Sequence, residues 1–326
     1  MDVSVIMINY NTFSLTKDAL DSLFRETKGI DYEVILIDNA SPDGSGDQLS
    51  ALYGDKIVYL QSGGNLGTSK AFNIALKHAS GKYVLWLNTD ILLKENFIKK
   101  LFDYMESDPN CGICGGNLLD YQGKPMNSCR MEFESPKSIK RDHSIFFNLF
   151  KKLAFRRSDY NYSSYPQRVA WVCGADMMVR REVFEQIGGF DEVIFMYAEE
   201  EEFQYRMTQL TDYTVMSVPW AHMYHLEGGS VKKKKRGYND AWERLMLLGL
   251  PRFFYKWYGE KTVRQYLNVR INGLKKLRFL ELLTLKKDRA ERHKQMIALY
   301  REYLANFSAY LEQLKGGDDQ LKGEHK

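Results

Sequence analysis

Tyr83-Val84-Leu85-Trp86-Leu87-Asn88-Thr89-Asp90 is an unbroken apolar run that stops at an amide, a hydroxyl and a carboxylate. A run with no polar alternation is the pattern of a strand covered on both faces, as in a parallel sheet. The same pattern opens the chain at Val3–Ile8 and returns at Glu33–Ile37 and Ile57–Leu60. Between or just after these runs, Leu15–Arg25, Gln48–Tyr53, Ser69–His78 and Glu95–Met105 have helical spacing. Such alternation predicts right-handed crossovers and an α/β fold, with a Rossmann-like, mostly parallel sheet flanked by helices. Ligands of these sheets sit beyond the carboxyl ends of the strands. Here those ends are Asn9-Tyr10-Asn11, Asp38-Asn39-Ala40-Ser41, Gly63-Gly64-Asn65 and Asn88-Thr89-Asp90, all polar or turn-forming.

Further along, residues 120–168 lose clean periodicity and read as an irregular insertion with a helix near Ile145–Phe155. Regular structure resumes at Arg168–Val172 and Ala175–Arg180. Helices are expected over Arg181–Ile187, ended by Gly188-Gly189, and over Glu199–Gln209, followed by a strand at Tyr213–Val218. From Asp240 the chain is helical and aromatic-rich, and Gly316–Lys326 reads as a frayed tail. The expected division is a catalytic domain over 1–230, with halves of 1–120 and 121–230, a helical region over 231–315 and a flexible tail over 316–326.

Composition excludes several classes. With 44% hydrophobic and 27% charged residues in 326, the chain is not generally disordered. The net charge of +4 hides an asymmetry, −8 over 1–230 against +12 over 231–326. Cys111-Gly112-Ile113-Cys114 lacks a second Cys/His pair at zinc-ribbon spacing, and it reads as a short buried strand ending at Gly115-Gly116. Four cysteines without a framework suit a reducing compartment. No segment has the roughly 18 apolar residues that span a bilayer, and Met1–Ile8 reads as a strand rather than a signal peptide. The expected location is cytoplasmic.

Three groups carry chemistry. Asp90, at the end of a buried strand, is placed to hold a hard cation such as Mg²⁺ or Mn²⁺, with Asn88 as a hydrogen-bonding helper. An Asp there also serves as a turn residue, and both roles stay open. Glu199-Glu200-Glu201-Glu202 opens a helix, where acids favour the positive end of its dipole as a solvated turn. The apolar flanks Phe195, Met196, Tyr197 and Phe203 leave room for one desolvated carboxylate, a better general base. His222 and His225, beside Gly228-Gly229, offer imidazole to a metal. At the other strand ends, Asp38 suits a base or ribose hydroxyl. Asn65-Leu66-Gly67 opens a helix whose free N–H groups, near Lys70, suit phosphate. Neither a dinucleotide fingerprint nor a P-loop is present.

The order Val3-Ser4-Val5-Ile6…Asn9-Tyr10-Asn11, Ile37-Asp38-Asn39-Ala40-Ser41-Pro42-Asp43-Gly44-Ser45, Asn65-Leu66-Gly67 and Leu87-Asn88-Thr89-Asp90 closely resembles glycosyltransferase family 2. So does Gly174-Ala175-Asp176-Met177-Met178-Val179-Arg180-Arg181, running on through Gly189-Phe190-Asp191-Glu192 to the acid run. The branch it is most similar to is the rhamnosyltransferase type of bacterial polysaccharide synthesis, over residues 3–230. The resemblance implies a GT-A fold with a C-terminal helical extension. It also implies a nucleotide-sugar pocket built from Asn9, Tyr10, Asn11, Asp38, Asn65, Gly67, Lys70, Asn88 and Asp90. Under it Asp90 and His225 hold Mg²⁺ or Mn²⁺, Glu199-Glu200 falls on the family's Glu-Asp pair, and Trp171, Gly174 and Ala175 meet the acceptor. Two departures stand out: Asn88-Thr89-Asp90 has one acid where the full motif has two, and Glu200 replaces an Asp, so Glu199 competes for the base.

The expected activity is metal-dependent transfer of a sugar, with inversion, onto a glycan or lipid-linked glycan. The donor expected first is dTDP-rhamnose, with UDP-hexoses next. An inactive sugar-nucleotide-binding scaffold and a nucleotidyltransferase are the competing classes; the first predicts loss of the acid pair, Asp90 or His225, the second a Gly-rich basic N-terminal loop. Lys232–Arg236 and Phe253-Phe254-Tyr255-Lys256-Trp257-Tyr258 mix cations with rings, as at an anionic membrane surface contacted through 231–280 at the inner face of the cell membrane. The competing reading is a bundle packing its rings inward, or an oligomer formed through the C-terminal helices. No nucleic-acid motif accompanies the charge.

Overall fold

The computed structural model describes residues 1–142, 159–226 and 239–316. They form two compact units: the described parts of 1–133, 159–192 and 199–226, and those of 134–142, 193–198 and 239–316. The division at 230 expected from sequence is therefore interleaved, because two short segments pack with the C-terminal helices. The expected helix near Ile145–Phe155, the run Lys232–Arg236 and the tail from 317 lie outside the described residues.

In chain order the first unit begins β1 (Val3–Asn9), α1 (Phe13–Glu26), β2 (Tyr32–Asp38), α2 (Ser45–Tyr53), β3 (Val58–Gln61), α3 (Gly67–Leu76), β4 (Tyr83–Leu87), β5 (Ile91–Leu92), α4 (Phe97–Ser107), β6 (Cys111–Leu119) and β7 (Cys129–Arg130). After α5 (Pro136–Asp142), which belongs to the second unit, come β8 (Gln167–Arg168), β9 (Trp171–Val172), β10 (Asp176–Arg180), α6 (Arg181–Ile187), α7 (Glu199–Leu210) and β11 (Thr214–His225). The main sheet runs β3-β2-β1-β4-β10-β6-β11-β5, with β8 also on β11, and β7 pairs β9 apart from it.

The sheet is mixed. β3, β2, β1 and β4 are parallel as expected, but β10 inserts antiparallel between β4 and β6, and β11 lies parallel to β6. Alternation of side chains assigns each parallel strand to two cores. Val5, Met7, Leu85 and Leu87 face one core with Leu20 and Leu23 of α1 and Phe97 and Leu101 of α4. Ile6, Val84 and Trp86 face the other, with Phe72 of α3 and Phe203 of α7. Burial on both faces is why the runs are continuously apolar.

Topology then fixes the site. The carboxyl ends of β1, β2, β3 and β4 share one edge. Because β10 is antiparallel, its first residue, Asp176, lies at that edge in register with Leu87. β11 ends there too, with His225 paired to Ile91.

Two expected boundaries move. β6 runs through Gly115-Gly116 to Leu119, because these glycines mark close approach rather than a turn. A Cβ on Gly115 would stand 2.9 Å from the Val172 Cβ, and one on Gly116 2.5 Å from the Phe97 ring. β11 continues past Pro219 through a register shift between Ser217 and His222, where a missing N–H is tolerated.

The second unit continues with α8 (Asp240–Met246), α9 (Leu250–Tyr258), α10 (Glu260–Leu283), α11 (Lys287–Ala305) and α12 (Phe307–Lys315). Phe253 and Phe254 of the aromatic run are fully buried, and Phe254 packs on Tyr266 at 5.4 Å between centroids. These two rings turn inward and do not face a membrane. Among the described residues no helix is long and apolar enough to cross one.

Candidate active site

The pairing of β5 with the end of β11 joins two segments far apart in sequence. The Leu226 N–H donates to the Asp90 carbonyl at 2.7 Å. As a result Asp90 Oδ1 lies 3.3 Å from His225 Nε2, with side chains only 9% and 13% exposed. His222, three residues earlier, falls on the opposite face of the strand. Its N–H donates to Glu95 Oε1 at 2.7 Å and its Nδ1 lies 3.7 Å from the same oxygen. Only one histidine of the pair reaches the strand-end carboxylate.

Asp176, to which the sequence reading gave no role, lies beside this pair. It is fully buried; its Oδ2 accepts from the Gly116 N–H at 2.7 Å, while Oδ1 has no hydrogen-bond partner among the described residues. Burial pushes its carboxyl up to about 7, opposed by the Gly116 N–H and by the nearby His225. An acid opening an otherwise apolar strand was the available signal. The Asn88 N–H donates to the Ala175 carbonyl at 3.0 Å, fixing Gly174-Ala175-Asp176 beneath the 88–90 turn.

The acid run reaches the same segment from the other side. The solvated-turn reading fails: Glu199, Glu201 and Glu202 are 3%, 5% and 0% exposed, and Glu200 is half-buried. Glu202 is structural, paired with Arg206 at 3.1 Å, whose guanidinium also donates to the Gly189 carbonyl at 2.7 Å. Glu199 Oε2 is buried with no hydrogen-bond partner among the described residues. Burial, followed by the neighbouring Glu200 charge, holds the Glu199 carboxyl well above the usual range. A Cβ on Gly174 would stand 2.8 Å from Trp86 Cζ3 and 3.4 Å from the Glu200 Cβ, so α7 touches the Gly174 segment. The charges of Glu200 and Asp176, after burial, both raise the Cys173 thiol that lies between them.

Gln204, another residue sequence reasoning missed, locks this contact. Its Oε1 accepts from the Val172 N–H at 2.8 Å and its Nε2 donates to the Val172 carbonyl at 2.9 Å. The adjoining Trp171 is partly exposed, with Nε1 lacking a hydrogen-bond partner among the described residues. The residues leading into α7, Tyr197 and Ala198, both have left-handed φ, +65° and +79°, a strained conformation for L side chains.

At the nucleotide-side edge, Asn9 sits inside the turn rather than on its surface. It is fully buried; Nδ2 donates to Asp38 Oδ1 at 2.7 Å and Ser45 Oγ at 2.9 Å, while Oδ1 accepts from Thr12 and Thr16, both at 2.9 Å. Asp38, 2% exposed, also accepts from Ser41 Oγ at 2.6 Å and from the Ser41 N–H at 2.9 Å. The N–H groups of Leu66 and Gly67, expected to be free for phosphate, are already taken by Asn39 Oδ1 at 3.0 Å and Asn65 Oδ1 at 3.3 Å. Tyr10, Asn11, Asn65 and Lys70 are the exposed members of the predicted pocket. Asn9→Ala is expected to cost roughly 3 kcal/mol, because Asp38 and two threonines lose a buried partner together. A urea midpoint unchanged from wild type would show that the turn holds without it.

Asp90 and His225 fit a divalent cation that is shared with a ligand. Among the described residues no three His, Cys, Asp or Glu side chains gather as a complete protein cage. A hard oxygen and an imidazole, next to the unpartnered Asp176 Oδ1, leave positions for diphosphate and water, as Mg²⁺ and Mn²⁺ prefer. Cys111 and Cys114 are buried free thiols, and burial raises the Cys114 thiol well above its ordinary value.

The fold is GT-A. Similar solved structures include GalNAc-T7 with UDP, GalNAc and Mn²⁺ (TM-score 0.57, 17% identity, 79% of this chain and 48% of that one). They also include mannosyltransferase PcManGT of Pyrobaculum calidifontis with GDP-Man and Mn²⁺ (TM-score 0.51, 18% identity, 95% of this chain and 86% of that one). A sequence model described as glycosyl transferase family 2 matches residues 4–188, and the chain belongs to that family. Over 209 residues it is 30% identical to the low-salt glycan biosynthesis hexosyltransferase Agl10 of Haloferax volcanii, covering 63% of this chain and 61% of that protein. Over 208 residues it is 27% identical to the N-acetylglucosaminyl-diphospho-decaprenol L-rhamnosyltransferase of Mycobacterium tuberculosis, covering 59% of this chain and 66% of that protein. The matched region is thus just under two thirds of each relative.

Proposed function

We propose that this protein transfers a sugar from a nucleotide-diphosphate donor to a hydroxyl of a glycan or lipid-linked glycan, with inversion at the anomeric carbon. The observation that carries this reading is the meeting of two acid-bearing groups around one segment. Asp90 and His225 stand beside Asp176, and Glu200, next in sequence to the buried Glu199, stands against Gly174, two residues away.

Glu200 takes the proton from the acceptor hydroxyl. It is the more open member of its pair and lies against the acceptor segment, whereas Glu199 is buried, with its carboxyl held well above the usual range. The hydroxyl oxygen attacks the anomeric carbon from the face opposite the diphosphate, and the bond to the diphosphate oxygen breaks with its electron pair. A single displacement needs no protein nucleophile. Asp90 and His225 would hold Mg²⁺ or Mn²⁺, which when bound offsets the charge gathering on the leaving diphosphate. Trp171, partly exposed, presents an apolar face suited to a sugar acceptor.

The mycobacterial relative's name favours rhamnose as the transferred sugar, with dTDP-rhamnose the donor to try first, and the Haloferax relative's name keeps a hexose next, with UDP-hexoses as donors. Incubation with a panel of nucleotide sugars and Mn²⁺ tests the proposal. Release of nucleoside diphosphate with a product of inverted anomeric configuration is expected. Pyrophosphate exchange would instead make the protein a nucleotidyltransferase, and binding without turnover a sugar-nucleotide-binding scaffold.

A further inference from the structure

We infer that the tip of the α10–α11 hairpin, Lys275–Arg289, is a membrane-docking element that seats its leucines in an anionic bilayer surface. The hairpin's packing stripe is regular only up to a point. Val263, Leu267, Ile271 and Leu274 of α10 are buried, and burial resumes on α11 at Ala290, Met296 and Ile297. Between Leu274 and Ala290 the apolar residues continue, but nothing among the described residues covers them. Leu277 is 49% exposed, Phe279 62%, Leu280 53%, Leu282 47%, Leu283 65% and Leu285 80%.

Their arrangement selects the partner. At 3.6 residues per turn, positions 277, 279, 280, 282 and 283 spread around most of the helix circumference instead of forming one stripe. A single docking helix covers one stripe; a fluid apolar medium surrounds a tip. Leu285 holds φ at +57°, a conformation uncommon for a leucine, and presents its side chain at the apex.

The charges agree. Lys275, Lys276, Arg278, Lys286, Lys287 and Arg289 collar the apolar residues, against Glu281 and Asp288 alone. Two copies meeting tip to tip would bring two such collars together, whereas an anionic headgroup layer neutralises them. Tip leucines beneath a ring of cations are the pattern of an interfacial segment. This placement differs from the Phe253–Tyr258 run, whose Phe253 and Phe254 are buried, and it does not depend on which reaction the first unit performs.

The full chain should float with vesicles of phosphatidylcholine and phosphatidylglycerol at low salt, and bind vesicles of phosphatidylcholine alone more weakly. Leu283→Asp with Leu285→Asp should lower vesicle affinity by at least about 100-fold. Lys286→Glu with Lys287→Glu should lower affinity for the anionic vesicles about 20-fold or more and remove their advantage over phosphatidylcholine. All four positions are exposed, so circular dichroism and melting temperature should match wild type. Wild-type protein remaining in solution with anionic vesicles, or the leucine variant floating as wild type does, overturns the proposal. A concentration-dependent dimer that dissolves in the leucine variant, without vesicle binding, assigns the tip to a second copy instead.

Discussion

Glu200→Gln is expected to lower kcat by about 10²–10⁴-fold, the usual worth of a positioned general base, with nucleotide affinity near wild type. The amide keeps the side chain's shape against Gly174, so a loss confined to kcat reports proton transfer rather than packing. Glu199→Gln supplies the contrast. Burial and the Glu200 charge hold the Glu199 carboxyl well above the usual range, which favours its neutral form, and an amide resembles that form. It should therefore retain most activity. Steady-state kinetics of the two variants decide the matter: near-normal turnover in Glu200→Gln, with collapse in Glu199→Gln, would transfer the base to Glu199.

Asp90→Ala is expected to abolish the metal-dependent part of donor binding. The protein offers the cation one carboxylate and one imidazole 3.3 Å apart, so removing the carboxylate leaves a single neutral ligand. A loss of at least about 100-fold in Mn²⁺ affinity follows, since even outer-shell partners of a metal are worth 10–100-fold. Calorimetry with nucleoside diphosphate, with Mn²⁺ and with chelator, measures it directly. Wild-type affinity that depends on Mn²⁺ and survives Asp90→Ala would place the cation elsewhere.

The parallel half of the sheet could be read from sequence because its cause is local. Strands buried on both faces must be apolar throughout, and the runs ending at Ile8, Ile37 and Leu87 show it. The antiparallel half was harder, because its boundaries depend on partners distant in the chain. Gly115-Gly116 resembles a turn until Val172 and Phe97 are seen against it, and Pro219 resembles a strand end until the register shift absorbs it. The acid run misled in the same way. Four glutamates at a helix start suit a solvated turn, yet three of them are buried, and Glu202 is held by Arg206, which in turn is anchored on the Gly189 carbonyl.

Of the site, sequence pattern and family resemblance together named Asp90, His225, Glu199 and Glu200. They did not reveal which neighbours hold these residues. Asn9 was expected to face nucleotide, yet its hydrogen bonds all point into the fold. Asp176 and Gln204 went unassigned because their roles come entirely from long-range contacts with Gly116 and Val172. The joining of residues 134–142 and 193–198 to the C-terminal helices is likewise set by tertiary contacts and leaves no compositional trace.

Gln204 has one more implication, for how such an enzyme could change its substrate. By holding both amide groups of Val172, it makes the strand bearing Trp171 and the helix bearing Glu200 move as a single piece. Remodelling the strand to admit a new sugar would displace Glu200, the proposed proton acceptor, as well. Altered preference should therefore arise from side-chain exchanges on a fixed frame, with insertions near Val172 selected against.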